Sequence, residues 1–270
     1  MKLLRTIAVT FAQYSRIPMP HFEWRKKDMT YSMAAFPLVG AVIGLIYTAV
    51  FFASVRLSIP PAAAALLMTA VPVLLTGGFH IDGFMDVSDA LSSYADREEK
   101  LRILKDPHIG AFAVIRLALC GLIYVAAAVT VVTFAYAASD LSDSEAAPVL
   151  CTAAGFILSR SLSALSVLTF KSAKKEGMLY YEAQTAGEGR TANIVIVVVW
   201  MIAACVVMLR LDLQTGILGI ISAGCVFAWY RHMSYKHLGG ITGDTAGWLV
   251  TVCETALIAA SAVSVIIMQQ

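Results

Sequence analysis

The stretch Met33–Val55, MAAFPLVGAVIGLIYTAVFFASV, contains no charged residue and is long enough to cross a lipid bilayer as a single helix. Comparable apolar runs continue to the end of the chain, so that 59% of the residues are hydrophobic and only 14% are charged. A soluble domain of similar length carries about a quarter charged residues. The sequence therefore predicts an all-α, polytopic integral membrane bundle. A soluble enzyme with one large core is the weak alternative.

Seven runs qualify as candidate spans, of which the second and sixth are short. They are Met33–Val55, Pro60–Gly78, Phe112–Ala138, Ala147–Phe170, Ala192–Leu209, Thr215–Tyr230 and Gly247–Met268. Before them, apolar residues recur at helical spacing from Leu4 to Tyr14, which predicts an N-terminal interfacial helix. No repeat or linker divides the sequence, and we expect residues 1–270 to form a single membrane domain with cytosolic catalytic loops.

The basic residues predict the orientation of this bundle. If the N-terminus lies inside, sixteen of the 20 Lys and Arg residues fall in inside segments, and only Arg56 and Arg210 fall in outside loops. Arg160 falls within a span, where an unpaired charge is costly, and Glu254 in the last span is its candidate partner. The net charge of +2 gives no reason to expect nucleic-acid binding.

The segment from Gly77 to Asp89, GGFHIDGFMDVSD, carries the strongest chemical signal. Asp82, Asp86 and Asp89 stand at i, i+4 and i+7, which places three carboxylates on one face of a helix. No lysine or arginine occurs between them to relieve the repulsion, whereas a hard cation with oxygen ligands, such as Mg²⁺, would relieve it. A solvated acidic face is the plain alternative. The neighbouring His80 is a candidate general base or phosphate contact.

Three further inside segments add basic residues and glycines. They are Lys105-Asp106, the stretch KKEG at residues 174–177, and the stretch GGITGDTAG at residues 239–247. Glycines let backbone N–H groups approach an anion, although glycine-rich turns also join many helices without binding anything. Asp244 is a candidate metal ligand or nucleobase contact. Together these segments indicate metal-assisted phosphoryl transfer on a pyrophosphate-like substrate, and they leave the substrate unnamed.

In order along almost the whole chain, these segments resemble those of the cobalamin synthase family, the adenosylcobinamide-GDP ribazoletransferases. The matching residues are Gly77-Gly78, His80, Asp82-Gly83, Asp86, Asp89, Lys105-Asp106, Gly110, Lys175-Glu176-Gly177 and Gly239-Gly240-Ile241-Thr242-Gly243-Asp244. Arg16-Ile17-Pro18 and the entry to the first span, Phe36 to Gly40, match as well.

The resemblance implies transfer of the adenosylcobinamide phosphate moiety of adenosylcobinamide-GDP to α-ribazole or its 5′-phosphate. GMP is released, and adenosylcobalamin or its phosphate is formed. The resemblance further implies Mg²⁺ as cofactor and a multi-pass protein of the prokaryotic cytoplasmic (inner) membrane, with the active site facing the cytosol. The preferred lower-ligand base and the oligomeric state, including a homo-oligomer, stay open.

The roles implied for individual residues fall into three groups. His80 and Asp82 are expected to be catalytic, with His80 or an unliganded aspartate activating the attacking ribazole hydroxyl. The metal is expected on Asp82, Asp86, Asp89 and Asp106. Phosphate or guanine is expected on Lys105, Lys175, Gly240, Thr242, Gly243 and Asp244.

Two other classes of protein compete with this prediction. A membrane phosphotransferase of the CDP-alcohol type also carries a DG-containing aspartate cluster, but Asp86 stands where that pattern has alanine. A transporter or channel with an acidic vestibule would show polar residues deep in several spans, whereas most polar residues here fall in loops.

Overall fold

The computed structural model describes residues 2–20, 22–137, 143–174 and 177–270. Within these ranges the chain forms α-helices, one short 3₁₀ turn at Ala186–Gly189 and no β-strand. The helices are α1 (Lys2–Tyr14), α2 (Lys26–Met29), α3 (Ser32–Arg56), α4 (Pro61–Thr76), α5 (Phe79–Ser92), α6 (Arg97–Ile103), α7 (Ala111–Tyr136), α8 (Asp143–Thr169), α9 (Met178–Thr185), α10 (Arg190–Leu211), α11 (Leu213–Leu238) and α12 (Gly243–Met268).

The long helices confirm a polytopic membrane protein. Six of them, α3, α7, α8, α10, α11 and α12, are long and apolar enough to cross a bilayer. The pair α4 and α5, bent by 90°, supplies a seventh candidate crossing. The sixth span is longer than the sequence predicted, because α11 continues to Leu238 before Gly239 ends it with a left-handed φ of 72°.

The bend between α4 and α5 depends on two consecutive glycines. Gly77 and Gly78 have φ values of 66° and 80°, a conformation that residues with a side chain rarely adopt. A Cβ on Gly77 would also lie 2.4 Å from Nε of Arg16, whose own backbone N–H donates to the Leu75 carbonyl at 2.7 Å. The N-terminal segment is therefore hydrogen-bonded to the bend between α4 and α5.

Helix α8 forms the centre of the bundle and packs against α3, α10 and α12. The contact with α3 is close because Gly40 and Gly44 face the α8 backbone. A Cβ on Gly40 would lie 2.2 Å from the Phe156 carbonyl oxygen, and one on Gly44 would lie 2.5 Å from that of Ala153. Small residues at such spacing let membrane helices approach and gain dispersion contacts that lipid does not provide.

The ion pair expected inside the bundle is present. Nη1 of Arg160 in α8 donates to Oε1 of Glu254 in α12, and the two side chains are 1% and 11% exposed. Nη1 also lies 3.1 Å from the Phe156 carbonyl oxygen. The pairing confirms the hypothesis drawn from the sequence and joins two central helices.

The N-terminal helix is confirmed as α1. Phe11 and Tyr14 are buried against the bundle, whereas Leu3 and Leu4 are 71% and 72% exposed. Exposed leucines beside a buried face fit a helix that lies in a membrane interface, and this location stays a prediction.

Candidate active site

The acidic motif lies in helix α5, as predicted, and packs against the start of α12. Gly83 makes this contact possible: a Cβ there would lie 2.7 Å from the backbone oxygen of Asp244 and 2.9 Å from its Cα. Farther along α12, Oγ1 of Thr251 donates to the His80 carbonyl oxygen at 3.1 Å. The glycine that follows Asp82 in the sequence therefore allows the close approach of two helices that are distant in the chain.

This packing brings three carboxylates together. Asp82 is exposed, and Asp86 and Asp244 are partly buried. The charge of Asp86 interacts unfavourably with those of Asp82 and Asp244 and favourably with that of Lys174. The structure thus joins Asp244, from the glycine-rich segment, to the acidic motif some 160 residues earlier in the chain.

The glycine-rich segment is partly helix rather than a loop up to Gly247, which corrects the span boundary expected from the sequence. Thr242 is the N-cap of α12, and its Oγ1 accepts the backbone N–H of Thr245 at 3.2 Å while Oγ1 of Thr245 accepts that of Thr242 at 2.8 Å. Gly243 and Asp244 consequently occupy the first turn. Backbone N–H groups of such a turn are a favourable site for an anion.

The segment that follows α8 and the segment that precedes α12 are joined by backbone hydrogen bonds. The N–H of Ile241 donates to the Lys171 carbonyl at 2.9 Å, and the N–H of Ala173 donates to that of Ile241 at 2.8 Å. A Cβ on Gly240 would lie 2.4 Å from the Lys171 oxygen, so a glycine is needed there. The bonds bring Lys174 to the site, whereas Lys175 lies outside the described residues.

Asp89 is placed to stabilise a helix. Its Oδ2 accepts the N–H of Gly110 at 2.7 Å, and its Oδ1 accepts that of Ala113 at 2.9 Å, which caps the start of α7. A Cβ on Gly110 would lie 2.4 Å from Oδ2. Both oxygens of this predicted metal ligand therefore already serve backbone N–H groups.

Asp106 and Lys105 are both exposed, just after α6. Asp106 accepts the backbone N–H of His108 at 2.9 Å and lies 2.6 Å from its Nδ1, and these hydrogen bonds lower the pKa of the carboxyl. Neither side chain lines the cavity described below, although the preceding Leu104 does. The roles expected of both residues stay predictions.

A cavity of about 340 Å³ opens beside the carboxylates. Its polar lining includes Asp82, Asp244, Lys174, Thr242 and Glu182. Its remaining lining consists mainly of aromatic, aliphatic and small residues: Tyr14, Met33, Phe36, Phe79, His80, Gly83, Leu104, Ser163, Val167, Ser172, Gly177, Leu179, Tyr180, Gly243, Ala246 and Gly247. The cavity thus combines an acidic and basic part, suited to a metal-bound phosphate, with an aromatic part.

His80 lies in an apolar part of the cavity wall. It is 6% exposed, and its ring centroid lies 5.8 Å from that of Phe36 and 5.5 Å from that of Phe79. Among the described residues, neither ring nitrogen has a hydrogen-bond partner. The expectation that His80 acts as a general base stays a prediction, and the ring also contributes to packing.

Glu182 is a candidate functional residue that the sequence did not single out. Its carboxylate is buried in the cavity wall, where Oε1 accepts hydrogen bonds from Tyr14 Oη and Gln13 Nε2. Burial raises the pKa of Glu182 to about 7, against the opposing effect of the two hydrogen bonds. The signal arises only on folding, because α9 and α1 are about 170 residues apart in sequence.

The oxygen donors of the site suit Mg²⁺, although they form no complete cage. Within the described ranges, no three or more His, Cys, Asp or Glu side chains are arranged to hold a metal ion. Mg²⁺ usually takes one or two carboxylates and completes its shell with water and substrate phosphates. Asp82 and Asp244, which share the cavity wall, fit that pattern.

Comparison with known proteins gives a consistent result. A family model described as cobalamin-5-phosphate synthase matches residues 6–262. An adenosylcobinamide-GDP ribazoletransferase of Lachnoclostridium phytofermentans is 36% identical over 94% of this chain and 92% of its own. Proteins of the same name from Clostridium perfringens strain SM101 and a Geobacillus species are 30% and 32% identical, over 93% and 87% of this chain and 94% and 86% of their own. No solved structure matches significantly.

Proposed function

The chain belongs to the cobalamin-5-phosphate synthase family, and from this premise we propose that it is an adenosylcobinamide-GDP ribazoletransferase. It joins the adenosylcobinamide phosphate moiety to α-ribazole or α-ribazole 5′-phosphate and releases GMP. The relatives that carry this name align with the chain over 92% and 94% of their own length. Neither the CDP-alcohol phosphotransferase nor the transporter hypothesis finds similar support.

The observation that carries the proposal is the convergence of Asp82, Asp244 and Lys174 on one cavity at the start of α12. A pyrophosphate substrate is strongly anionic and needs opposing charge and N–H donors at its oxygens. Lys174 supplies the charge, and the first turn of α12 supplies the N–H groups. Asp82 and Asp244, assisted by Asp86, would hold Mg²⁺, and a bound Mg²⁺ would supply positive charge to offset that of the pyrophosphate.

The proposed reaction is a single displacement at phosphorus. A ribazole hydroxyl attacks the phosphorus that carries cobinamide, a new O–P bond forms, and the bond to the bridging oxygen of the pyrophosphate breaks. GMP leaves with that oxygen and its electron pair. The hydroxyl proton passes to His80 or to an aspartate that does not bind metal. The fixed contact of α5 with α12 keeps the participating side chains aligned during this step.

We further propose that the site faces the cytosol at the prokaryotic inner membrane. Sixteen of the 20 basic residues fall in the segments that the sequence assigns to the inside, in agreement with the positive-inside rule, and one of them, Lys174, lines the cavity.

The test is release of GMP by the purified, detergent-solubilised protein. We expect GMP only when adenosylcobinamide-GDP and α-ribazole are both present, in a one-to-one ratio with the joined product. Absence of GMP from folded protein supplied with both substrates and Mg²⁺ would overturn the proposal.

A further inference from the structure

Part of the cavity wall consists of aromatic side chains and a buried carboxylate, which phosphate binding does not require. We call the side chains of Tyr14, Phe36, Phe79, Tyr180 and Glu182 the aromatic wall; all five line the cavity. Three of its rings pack together: the ring centroid of Tyr14 lies 4.4 Å from that of Phe36 and 6.0 Å from that of Phe79. Aromatic surfaces of this kind bind flat heterocycles by stacking and edge contacts.

The size of the cavity limits which substrate it can enclose. At about 340 Å³ it lies near the lower end of the range for small-molecule sites, about 300–1,000 Å³. Of the two substrates, one is a nucleoside and the other is a nucleotide-linked corrinoid, which is several times larger. The nucleoside is therefore the better match in size for this cavity.

The Glu182 carboxylate has hydrogen-bonding capacity that its protein partners do not use. Glu182 is 4% exposed, and Tyr14 and Gln13 both donate to the same oxygen, Oε1. A buried carboxylate is costly unless its lone pairs are used, and a carboxylate can accept up to about four hydrogen bonds. Oε2 is therefore available to a donor on a molecule in the cavity.

We propose that the aromatic wall is the binding site for the nucleophilic substrate, α-ribazole. The rings of Tyr14, Phe36 and Phe79 hold its flat base, and Oε2 of Glu182 accepts a hydrogen bond from its sugar. The assignment rests on the proposed function and adds the position of the acceptor substrate to it. It leaves Asp82 and Asp244 to bind the donor substrate, so the two substrates are held by different side chains.

The experiment compares Glu182→Gln with the wild-type protein in two measurements. The first is the dissociation constant of α-ribazole from purified protein without adenosylcobinamide-GDP, by calorimetry. The second is the KM for each substrate, from GMP release. We expect the dissociation constant and the KM for α-ribazole to rise about 10- to 100-fold, as for the loss of a hydrogen bond to a charged group. The KM for adenosylcobinamide-GDP should change less than twofold.

A second variant, Phe79→Ala, tests the same proposal if Glu182→Gln does not fold. Phe79 is 45% exposed, so Phe79→Ala should fold, and loss of its ring should weaken α-ribazole binding about tenfold. Tyr181→Phe is the matched control on α9, because Tyr181 is 62% exposed and does not line the cavity. It should leave every constant unchanged.

The outcomes separate the two proposals. Unchanged α-ribazole binding in both folded Glu182→Gln and Phe79→Ala proteins would overturn the assignment of the aromatic wall, even while GMP is released normally. If the wild-type protein binds α-ribazole through these residues but releases no GMP, the aromatic wall stands and the transferase proposal fails.

Discussion

Helix α12 carries two carboxylates in contrasting surroundings. Glu254 lies deep in the bundle and is paired with Arg160, whereas Asp244, in the first turn, lies beside Asp82 and Asp86. A charge in a membrane core is tolerated when it is paired, and such a pair holds two helices together. Carboxylates that face one another keep an unfavourable interaction that a bound cation would remove. One carboxylate of α12 therefore takes part in a structural ion pair, whereas the other has the surroundings expected of a cation-binding group.

The largest effect on activity should follow from a substitution among the carboxylates beside Asp244. Replacing Asp82 with alanine removes a predicted metal ligand, and we expect GMP release to fall about 1,000-fold. Because Asp82 is exposed, the variant should remain in the membrane and unfold at the wild-type temperature. Mg²⁺-dependent release at the wild-type rate would show that Asp82 takes no part in the reaction.

Substitutions in the Arg160–Glu254 ion pair should instead change the stability of the fold. Arg160→Met leaves Glu254 buried without its partner, which should destabilise the fold by about 3–5 kcal/mol. The double variant Arg160→Met with Glu254→Met should recover most of that loss, because neither charge remains. Thermal unfolding in detergent provides the measurement. An unchanged unfolding temperature in the single variant would mean that the pair contributes nothing to stability.

Glu182 is an intermediate case, since it is buried like Glu254 but lines the cavity like Asp244. Its pKa is about 7 when folded, against an ordinary value of 4.5. A raised carboxyl pKa favours the folded state at low pH, and that contribution is lost as the pH rises from about 4.5 through about 7. The loss should amount to about 3 kcal/mol at most.

The corresponding measurement is the difference in unfolding free energy between wild-type and Glu182→Gln proteins, followed across this pH range. Glutamine does not titrate, so the wild-type protein should lose stability relative to the variant as the pH rises. Parallel pH profiles would contradict the raised pKa.

The smallest change tests the contact between α5 and α12. In Gly83→Ala the added Cβ would overlap the Asp244 backbone, which should cost about 1–3 kcal/mol and reduce GMP release by separating the carboxylates. Gly224→Ala in α11 is the matched control, because a Cβ there meets no atom within 4 Å. Equal activity and stability of the two variants would argue against a close helix contact at Gly83.

Much of the membrane-spanning bundle, including the ion pair inside it, could be predicted from the sequence. Membrane spans are set by local composition, and the cost of intramembrane charge was enough to pair Arg160 with Glu254. The helix that carries Asp82 and Asp86 also followed from local spacing. The end of α11 at Leu238 was less predictable, because its last turns are polar and fall outside an apolar run.

The remaining features depend on contacts between distant segments. Asp89 has the spacing of its two neighbours, but the start of α7 uses both of its oxygens. Asp244 joins the acidic motif only because Gly83 admits α12. Glu182 acquires its surroundings from α1, and no local pattern distinguishes it from an ordinary surface glutamate.

The most direct test of the division along α12 is a Mg²⁺ titration of GMP release in wild-type, Asp244→Asn and double Arg160→Met/Glu254→Met proteins, per folded molecule after treatment with a chelator. We expect no release before Mg²⁺ is restored, a Mg²⁺ requirement about tenfold or more higher in Asp244→Asn, and a wild-type requirement in the double variant. Full activity of the chelated wild-type protein, or an unchanged Mg²⁺ requirement in Asp244→Asn, would contradict a metal site at the start of α12.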